Sequence, residues 1–243
     1  MSEMRILPAG DLSLIVEFGN EISTACNDRV RQLNQSLKKN EIEGIVETVP
    51  TFRSLLIYYD PIKISYQKLC SYIEKTSVKD GGFQAKTKRI VKIPVCYGGK
   101  YGEDLKSVAA HVGMSEEEVI KVHSGVDYLI YMLGFLPGFP YLGGMDSRLV
   151  TPRLPNPRTS ISAGSVGIGG EQTGVYPIAS PGGWRLIGRT PLKLYDSERE
   201  KPTLYQAGDY IRFQPIDEDE FLRMEELVKS GQYECSITTD TAS

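Results

Sequence analysis

Residues 162–195 read SAGSVGIGGEQTGVYPIASPGGWRLIGRTPLKLY. Three short apolar stretches, Ser165 to Ile168, Trp184 to Ile187 and Leu192 to Tyr195, lie there between Gly and Pro turns. Working outward, Tyr128 to Leu133 and Tyr210 to Phe213 continue the pattern. Short strands at such spacing predict a closed or nearly closed antiparallel barrel. Two helices precede it. Asp104 to Val112 carries Leu105, Val108, Ala109 and Val112 on one face, and Ser115 with Glu118 forms a capping-box start for a helix ending near His123. A last amphipathic helix covers roughly Asp217 to Val228, and the polar end from Glu234 to Ser243 reads as a frayed tail.

The first third of the chain follows another pattern. Leu12, Leu14, Val16 and Phe18 alternate as in a half-buried strand, and Cys26, Val30, Leu33 and Leu37 recur at helical spacing. Ile45 to Val49 and Ser54 to Tyr59 read as strands, Tyr66, Leu69, Cys70 and Ile73 as a second amphipathic stripe, and Lys88 to Val95 as a strand. The order βαββαβ is the ferredoxin-like arrangement, with Lys79 to Gly82 as the loop before its last strand. The expected class is α+β: a ferredoxin-like domain over residues 1–86, a barrel over 87–216, and a helix with polar tail over 217–243.

A length of 243 residues suits two domains. A net charge of -3 gives no reason to expect nucleic acid or an acidic membrane as partner. No apolar run approaches the roughly 18 residues of a membrane helix, and the N-terminus lacks the apolar stretch of a signal peptide. Cys26, Cys70, Cys96 and Cys235 show no paired spacing, which predicts reduced thiols in a cytoplasmic protein and no zinc site. With only His111 and His123 present, a His-rich metal centre is excluded on count.

Residues Gly134 to Pro191 hold 12 of the 24 glycines and 8 of the 14 prolines, so long shaped loops are expected there, where binding groups concentrate. Arg148, Arg153, Arg158, Arg185 and Arg189 face only Asp146 and Glu171 in this segment, without a lysine. Arginine's planar fork grips carboxylate or phosphate with two bonds, so Arg153, Arg158 and Arg189 are candidate anion clamps; the alternative is that they tie down loop carbonyls. Gln172 and Tyr176 are candidates for orienting a substrate. The run Gly164 to Gly170 lacks the Lys-Ser/Thr ending of a phosphate-binding loop and leads into no helix. Its amides could still form an anion nest, or its glycines could serve a bulge or tight corner. His123 is a candidate general base, or a helix-end residue bonding a carbonyl. Phe135, Phe139, Tyr141 and Trp184 could floor a pocket, line a protein interface, or fill barrel core.

The runs MLGFLPGFPYLGGM (Met132 to Met145) and TPRLPNPRTSISAGSVGIGGEQTGVYPIASPGGWRLIGRTPL (Thr151 to Leu192) resemble the signature of the carboxyltransferase-type subunits called allophanate hydrolase subunit 1. GDLSLIVEFG and VPTFRSLLIYYDP (Val49 to Pro61) resemble the small domain of the same proteins, and the likeness covers about 90% of the chain. The resemblance implies a ferredoxin-like domain and a cyclophilin-like barrel without prolyl isomerase activity. Stand-alone proteins of this length resemble the B subunit of bacterial 5-oxoprolinase. That likeness implies an enzyme component that works with subunits A and C, with ATP as co-substrate of the complex. The family also includes an inhibitor of a sporulation sensor histidine kinase, so a kinase is a second implied partner. It includes a domain of urea amidolyase, a biotin-dependent enzyme, but no biotin-carrier Met-Lys-Met occurs here.

Overall fold

The computed structural model describes residues 4–79 and 88–240. Of the loop expected over Lys79 to Gly82, Lys79 closes a helix and the rest lies outside the described residues. The chain divides into two compact units, Met1–Lys86 and Thr87–Ser243.

In the first unit the strands are β1 (Arg5–Pro8), β2 (Ser13–Glu17), β3 (Ile45–Pro50) and β4 (Ser54–Tyr59), with helices α1 (Thr24–Lys39) and α2 (Tyr66–Lys79). The sheet order is β1-β2-β4-β3, antiparallel throughout. Alternation sends Leu14, Val16, Leu55 and Ile57 to one face, where they pack with Val30, Leu33 and Leu37 of α1 and Leu69 and Ile73 of α2. Ser23 caps α1 by accepting the Cys26 N–H at 3.2 Å. The buried Asn27 of α1 donates to the Thr51 and Phe52 carbonyls at 3.2 and 3.3 Å, which fixes the helix against the β3–β4 turn.

The βαββαβ expectation therefore needs correction. The strand at Lys88 belongs to the second unit, and β1 takes the edge beside β2. The reason lies in burial. Strand β5 (Lys88–Tyr97) has Ile90, Val91, Ile93, Val95 and Cys96 buried, so both of its faces are covered, as in the middle of a large sheet.

The second unit continues with α3 (Leu105–Val112), α4 (Glu116–Ser124), β6 (Tyr128–Leu133), β7 (Pro140–Gly143), β8 (Arg158–Ile161), β9 (Ser165–Gly169), β10 (Gln172–Val175), β11 (Ser180–Gly182), β12 (Arg185–Arg189), β13 (Tyr210–Ile216), α5 (Glu218–Lys229) and β14 (Ile237–Asp240). The main sheet runs β10-β9-β12-β5-β13-β6-β7, with β14 also on β5 and β8–β11 as a separate ribbon. Its ends approach: a Cβ on Gly174 of β10 would stand 3.4 Å from the Pro140 carbonyl of β7. The result is a nearly closed barrel filled by Val91, Ile93, Val95, Tyr128, Ile130, Val166, Ile168 and Phe213 among others. Each such side chain contributes about 1.5–3 kcal/mol on burial.

The barrel is mixed, not antiparallel, because β13 pairs with β5 in parallel over seven residues. Alternation of apolar residues identifies a strand but not the direction of a partner more than a hundred residues away. Leu192 to Tyr195 forms no strand; Tyr195 makes only an isolated bridge to Thr203. The tail is not frayed up to Asp240, since Ile237–Asp240 pairs with Lys88–Val91. The capping box of α4 forms in full: Glu118 N–H donates to Ser115 Oγ at 3.1 Å, and Ser115 N–H to Glu118 Oε2 at 2.8 Å.

Candidate functional site on the outer face of the β9–β10 hairpin

The β9–β10 hairpin has two chemically different faces. Val166, Ile168, Thr173 and Val175 point to the core. Gly167, Gly169 and Gly174 stand on the other face, with Gln172 directly opposite Gly169. The indole of Trp184 lies over these glycines. A Cβ at Gly169 would stand 2.3 Å from its Cδ1, one at Gly174 3.1 Å from its Cζ3, and one at Gly167 3.3 Å from its Cβ. The glycine run is thus a floor for a flat aromatic ring.

Around Trp184 an aromatic layer assembles. Phe139 and Tyr176 meet it edge-on, with centroids 5.6 and 6.1 Å away, and Tyr141 and Phe135 stand edge-on to Phe139 at 5.6 and 5.7 Å. Phe139, Tyr176 and Trp184 are buried, whereas Phe135 is 69% exposed at the tip of the β6–β7 hairpin. Phe135 also holds a φ of 65°, a left-handed conformation that costs a residue with a Cβ about 1–2 kcal/mol. Tyr176 sits within the layer; burial raises the pKa of its hydroxyl, opposed by the charges of Arg153 and Arg158 and a backbone bond from Trp184.

The arginines separate into different roles. Arg148 is bidentate to Asp146, with Nε and Nη2 at 3.0 and 2.6 Å from its oxygens, and this bonding pushes the Asp146 pKa down to about 2. Arg185 donates to the Pro152 carbonyl and to Ser107 Oγ. Arg158 is turned inward: Nη2 is 3.0 Å from Asp104 Oδ2 and Nε 3.1 Å from Glu103 Oε1. Asp104 also accepts the Leu186 N–H at 2.7 Å. Arg158 is therefore a tie between the α3 entrance and β12, not an open clamp. Arg189 donates Nε to the Ala163 carbonyl at 3.0 Å and lines another cleft. Arg153 is exposed, makes no ion pair with a described residue, and sets its guanidinium carbon 6.0 Å from the Trp184 ring centre.

His123 lies on the inner side of the same hairpin and is fully buried. Thr173 Oγ1 donates to the Gly167 carbonyl at 3.0 Å, so it accepts from His123 Nε2 at 2.8 Å. The other ring nitrogen, Nδ1, then accepts from the Tyr97 hydroxyl at 2.8 Å. Phe213 stacks on the ring at 4.8 Å, and burial lowers the pKa to about 3. This neutral ring, sealed from solvent, pins α4 and β5 to β10 through both of its nitrogens. Its partners Tyr97 and Thr173, like Asp104 beside Arg158, carry no signal in the sequence that would single them out. Among the described residues no group of acidic, His or Cys side chains could hold a metal ion, and no helix is long and apolar enough to cross a membrane.

The family model "Carboxyltransferase domain, subdomain C and D" matches residues 4–205. The chain belongs to this carboxyltransferase family. Within it, the chain is 42% identical to the B subunit of 5-oxoprolinase from Bacillus subtilis, over 87% of this chain and 92% of that one. It is 40% identical to the Escherichia coli protein of the same name, over 90% and 99%. The crystal structure of the K. lactis urea amidolyase matches 98% of this chain with a TM-score of 0.77 and 22% identity, a likeness of fold alone. The chain spans 16% of that much longer protein. The same fold thus occurs both in chains of this size and within a far larger one.

Proposed function

We propose that the chain is the B subunit of an ATP-dependent 5-oxoprolinase, opening 5-oxo-L-proline to L-glutamate together with subunits A and C. The observation that carries the reading, beside the family, is Arg153 set over Trp184, whose ring covers Gly169 on the face that Gln172, its strand partner, shares. The substrate is a small ring bearing one carboxylate and one lactam amide. Arg153 offers a fork for the carboxylate, and a glutamine amide can both donate to the lactam oxygen and accept from its N–H. The aromatic layer supplies an apolar wall, with Tyr176 holding it from within. A lactam is a poor electrophile; phosphorylation of its oxygen by ATP, the co-substrate of the complex, makes that oxygen a leaving group. Water then adds at the carbon, the ring nitrogen takes up a proton as the C–N bond breaks, and a second water hydrolyses the resulting acyl phosphate to glutamate and inorganic phosphate.

The described residues of this chain offer no complete set of groups for that sequence, so the partner subunits must supply the rest. The unit from residue 87 is read as a cyclophilin-like barrel serving as a binding scaffold in the cytoplasm. Phe135, exposed and held in a costly conformation, suits an interface with a partner subunit. It favours a second reading as well, in which the same tip docks on a sensor histidine kinase.

The test is glutamate formation from 5-oxoproline and ATP by the chain alone and with subunits A and C. The chain alone should be inactive, and Arg153→Ala in the complex should raise KM by about tenfold or more. Turnover by the single chain, or kinetics indifferent to Arg153, would overturn the assignment.

A further inference from the structure

A second cleft, of about 710 Å³, is bounded by the end of β12 and the segment after it, by α5, and by residues 231–235. Its walls bear four cations, Arg189, Lys193, Arg199 and Lys229, and two carboxylates, Asp196 and Glu225. The pairing is uneven. Lys229 is balanced by Glu225 and Glu226, at 2.9 and 3.2 Å. Lys193 and Arg199 share one carboxylate, Asp196, at 2.8 and 3.5 Å. Arg189 has no carboxylate in reach among the described residues. Around Asp196 two positive charges are thus left over, that of Arg189 and the one remaining when Lys193 and Arg199 divide Asp196, whereas Lys229 with its two carboxylates leaves one negative charge on the α5 side.

These groups are held before any ligand arrives. Arg189 Nε is fixed by the Ala163 carbonyl at 3.0 Å, and Arg199 Nη1 donates to the Lys193 carbonyl at 3.0 Å. Asp196 stays ionised, because its bond from Lys193 lowers its pKa. It therefore keeps Lys193 and Arg199 in place. Apolar side chains, Leu204 and Tyr233 among them, share the lining. The volume lies within the roughly 300–1,000 Å³ of small-molecule sites, well beyond what a bare oxyanion would fill.

We propose that this cleft binds a phosphorylated small molecule, its phosphate held by Arg189, Lys193 and Arg199 and its uncharged body against Leu204 and Tyr233. Three cations grouped with the single carboxylate Asp196 match a phosphate dianion better than a single carboxylate ligand. Arginine's fork and a lysine point charge are complementary ways of gripping one. Because residues 231–235 form one wall and lead into β14, occupancy should also brace the C-terminal segment. The assignment rests on this cleft and not on the 5-oxoprolinase reading, so binding is measured on the isolated full-length chain, without turnover.

Calorimetric titration with ATP, with AMP and with inorganic phosphate separates the sources of the phosphate. At least one should bind with a Kd below about 1 mM at low salt. Arg189→Ala should weaken it by about tenfold and Lys193→Ala by several-fold. Lys193 has a side chain 56% exposed, so its removal leaves folding intact. Arg148→Ala, which removes a cation paired with Asp146 outside this cleft, should leave binding unchanged. Tighter binding of a nucleotide than of phosphate would show that the apolar lining is used; equal binding would confine recognition to the phosphate, and both uphold the anion site. Absence of binding for all three up to about 10 mM, or binding untouched by both cleft variants, would overturn it.

Discussion

His123 shows how far a single residue can be read from sequence. Its rarity marks it out, but rarity does not reveal burial. The two groups that decide its chemistry, Tyr97 and Thr173, lie 26 and 50 residues away in the chain. The structure makes the pH dependence calculable in sign. The folded-state pKa, about 3, lies below the ordinary value of 6.5, so the unfolded chain takes up a proton that the folded chain refuses. Stability from this group is complete above pH 6.5 and is lost as pH falls toward 3, with a slope of about 1.4 kcal/mol per pH unit. His123→Phe keeps a flat ring against Phe213 but removes both hydrogen bonds, at a cost of about 1–3 kcal/mol at pH 7. Urea unfolding at pH 7, 6 and 5 should show the two proteins converging as pH falls. Parallel curves would mean that the ring titrates normally in the folded chain. The arginines teach a similar lesson. Their segregation from lysine is visible in the sequence, but Arg158 is recognisable as a tie only with Asp104 and Glu103 beside it.

At the scale of elements, local alternation locates the strands that carry apolar residues, such as β2, β4, β6 and β9. It passes over β8, β10 and β11, which hold at most one aliphatic residue each (Ile161 in β8, Val175 in β10) among polar, glycine or proline residues and whose pairing is set by neighbours. The partner of a strand is harder still to foresee, as the parallel β5–β13 pair demonstrates. The glycine run in β9 leaves two readings open in the sequence, an anion nest or a bulge or tight corner. Trp184, fifteen residues beyond Gly169, supplies a third reason, the close approach of its side chain. Gly169→Ala tests this directly, because its Cβ would stand 2.3 Å from the indole ring and 2.4 Å from its Nε1. The ring must move or the hairpin must bend, at a cost of about 1–3 kcal/mol. Trp184 is the chain's only tryptophan, so its intrinsic fluorescence reports the site without a label. The variant should emit at longer wavelength and unfold at lower urea concentration. An unchanged spectrum with unchanged midpoint would remove the glycines from the aromatic site.

For the molecule as a whole, the division at Lys86 raises the question of what each unit needs in order to stand alone. The second unit has its own core, and Ile237–Asp240 is part of its sheet. The polar composition of the last ten residues hides this, because β14 is held mainly by backbone pairing. Ile237–Asp240 bonds with Lys88–Val91, Lys92 N–H donates to the Ser236 carbonyl at 3.0 Å, and the edge of β5 is thereby shared between β14 and β12. Removing everything after Glu234 would leave the first half of that edge open, with its N–H and C=O groups paired only by water. A fragment of residues 87–243 should unfold in one cooperative transition. The fragment 87–234 should be less stable by about 1–3 kcal/mol, a typical range for losing several hydrogen bonds at a sheet edge. Hydrogen exchange supplies the local check, since amides of residues 88–92 should lose protection while those of β6 and β9 keep theirs. Equal stability and equal protection in the two fragments would mean that β14 is an ornament on the barrel. Any truncation used to map a partner surface on this unit should therefore retain residues 235–240.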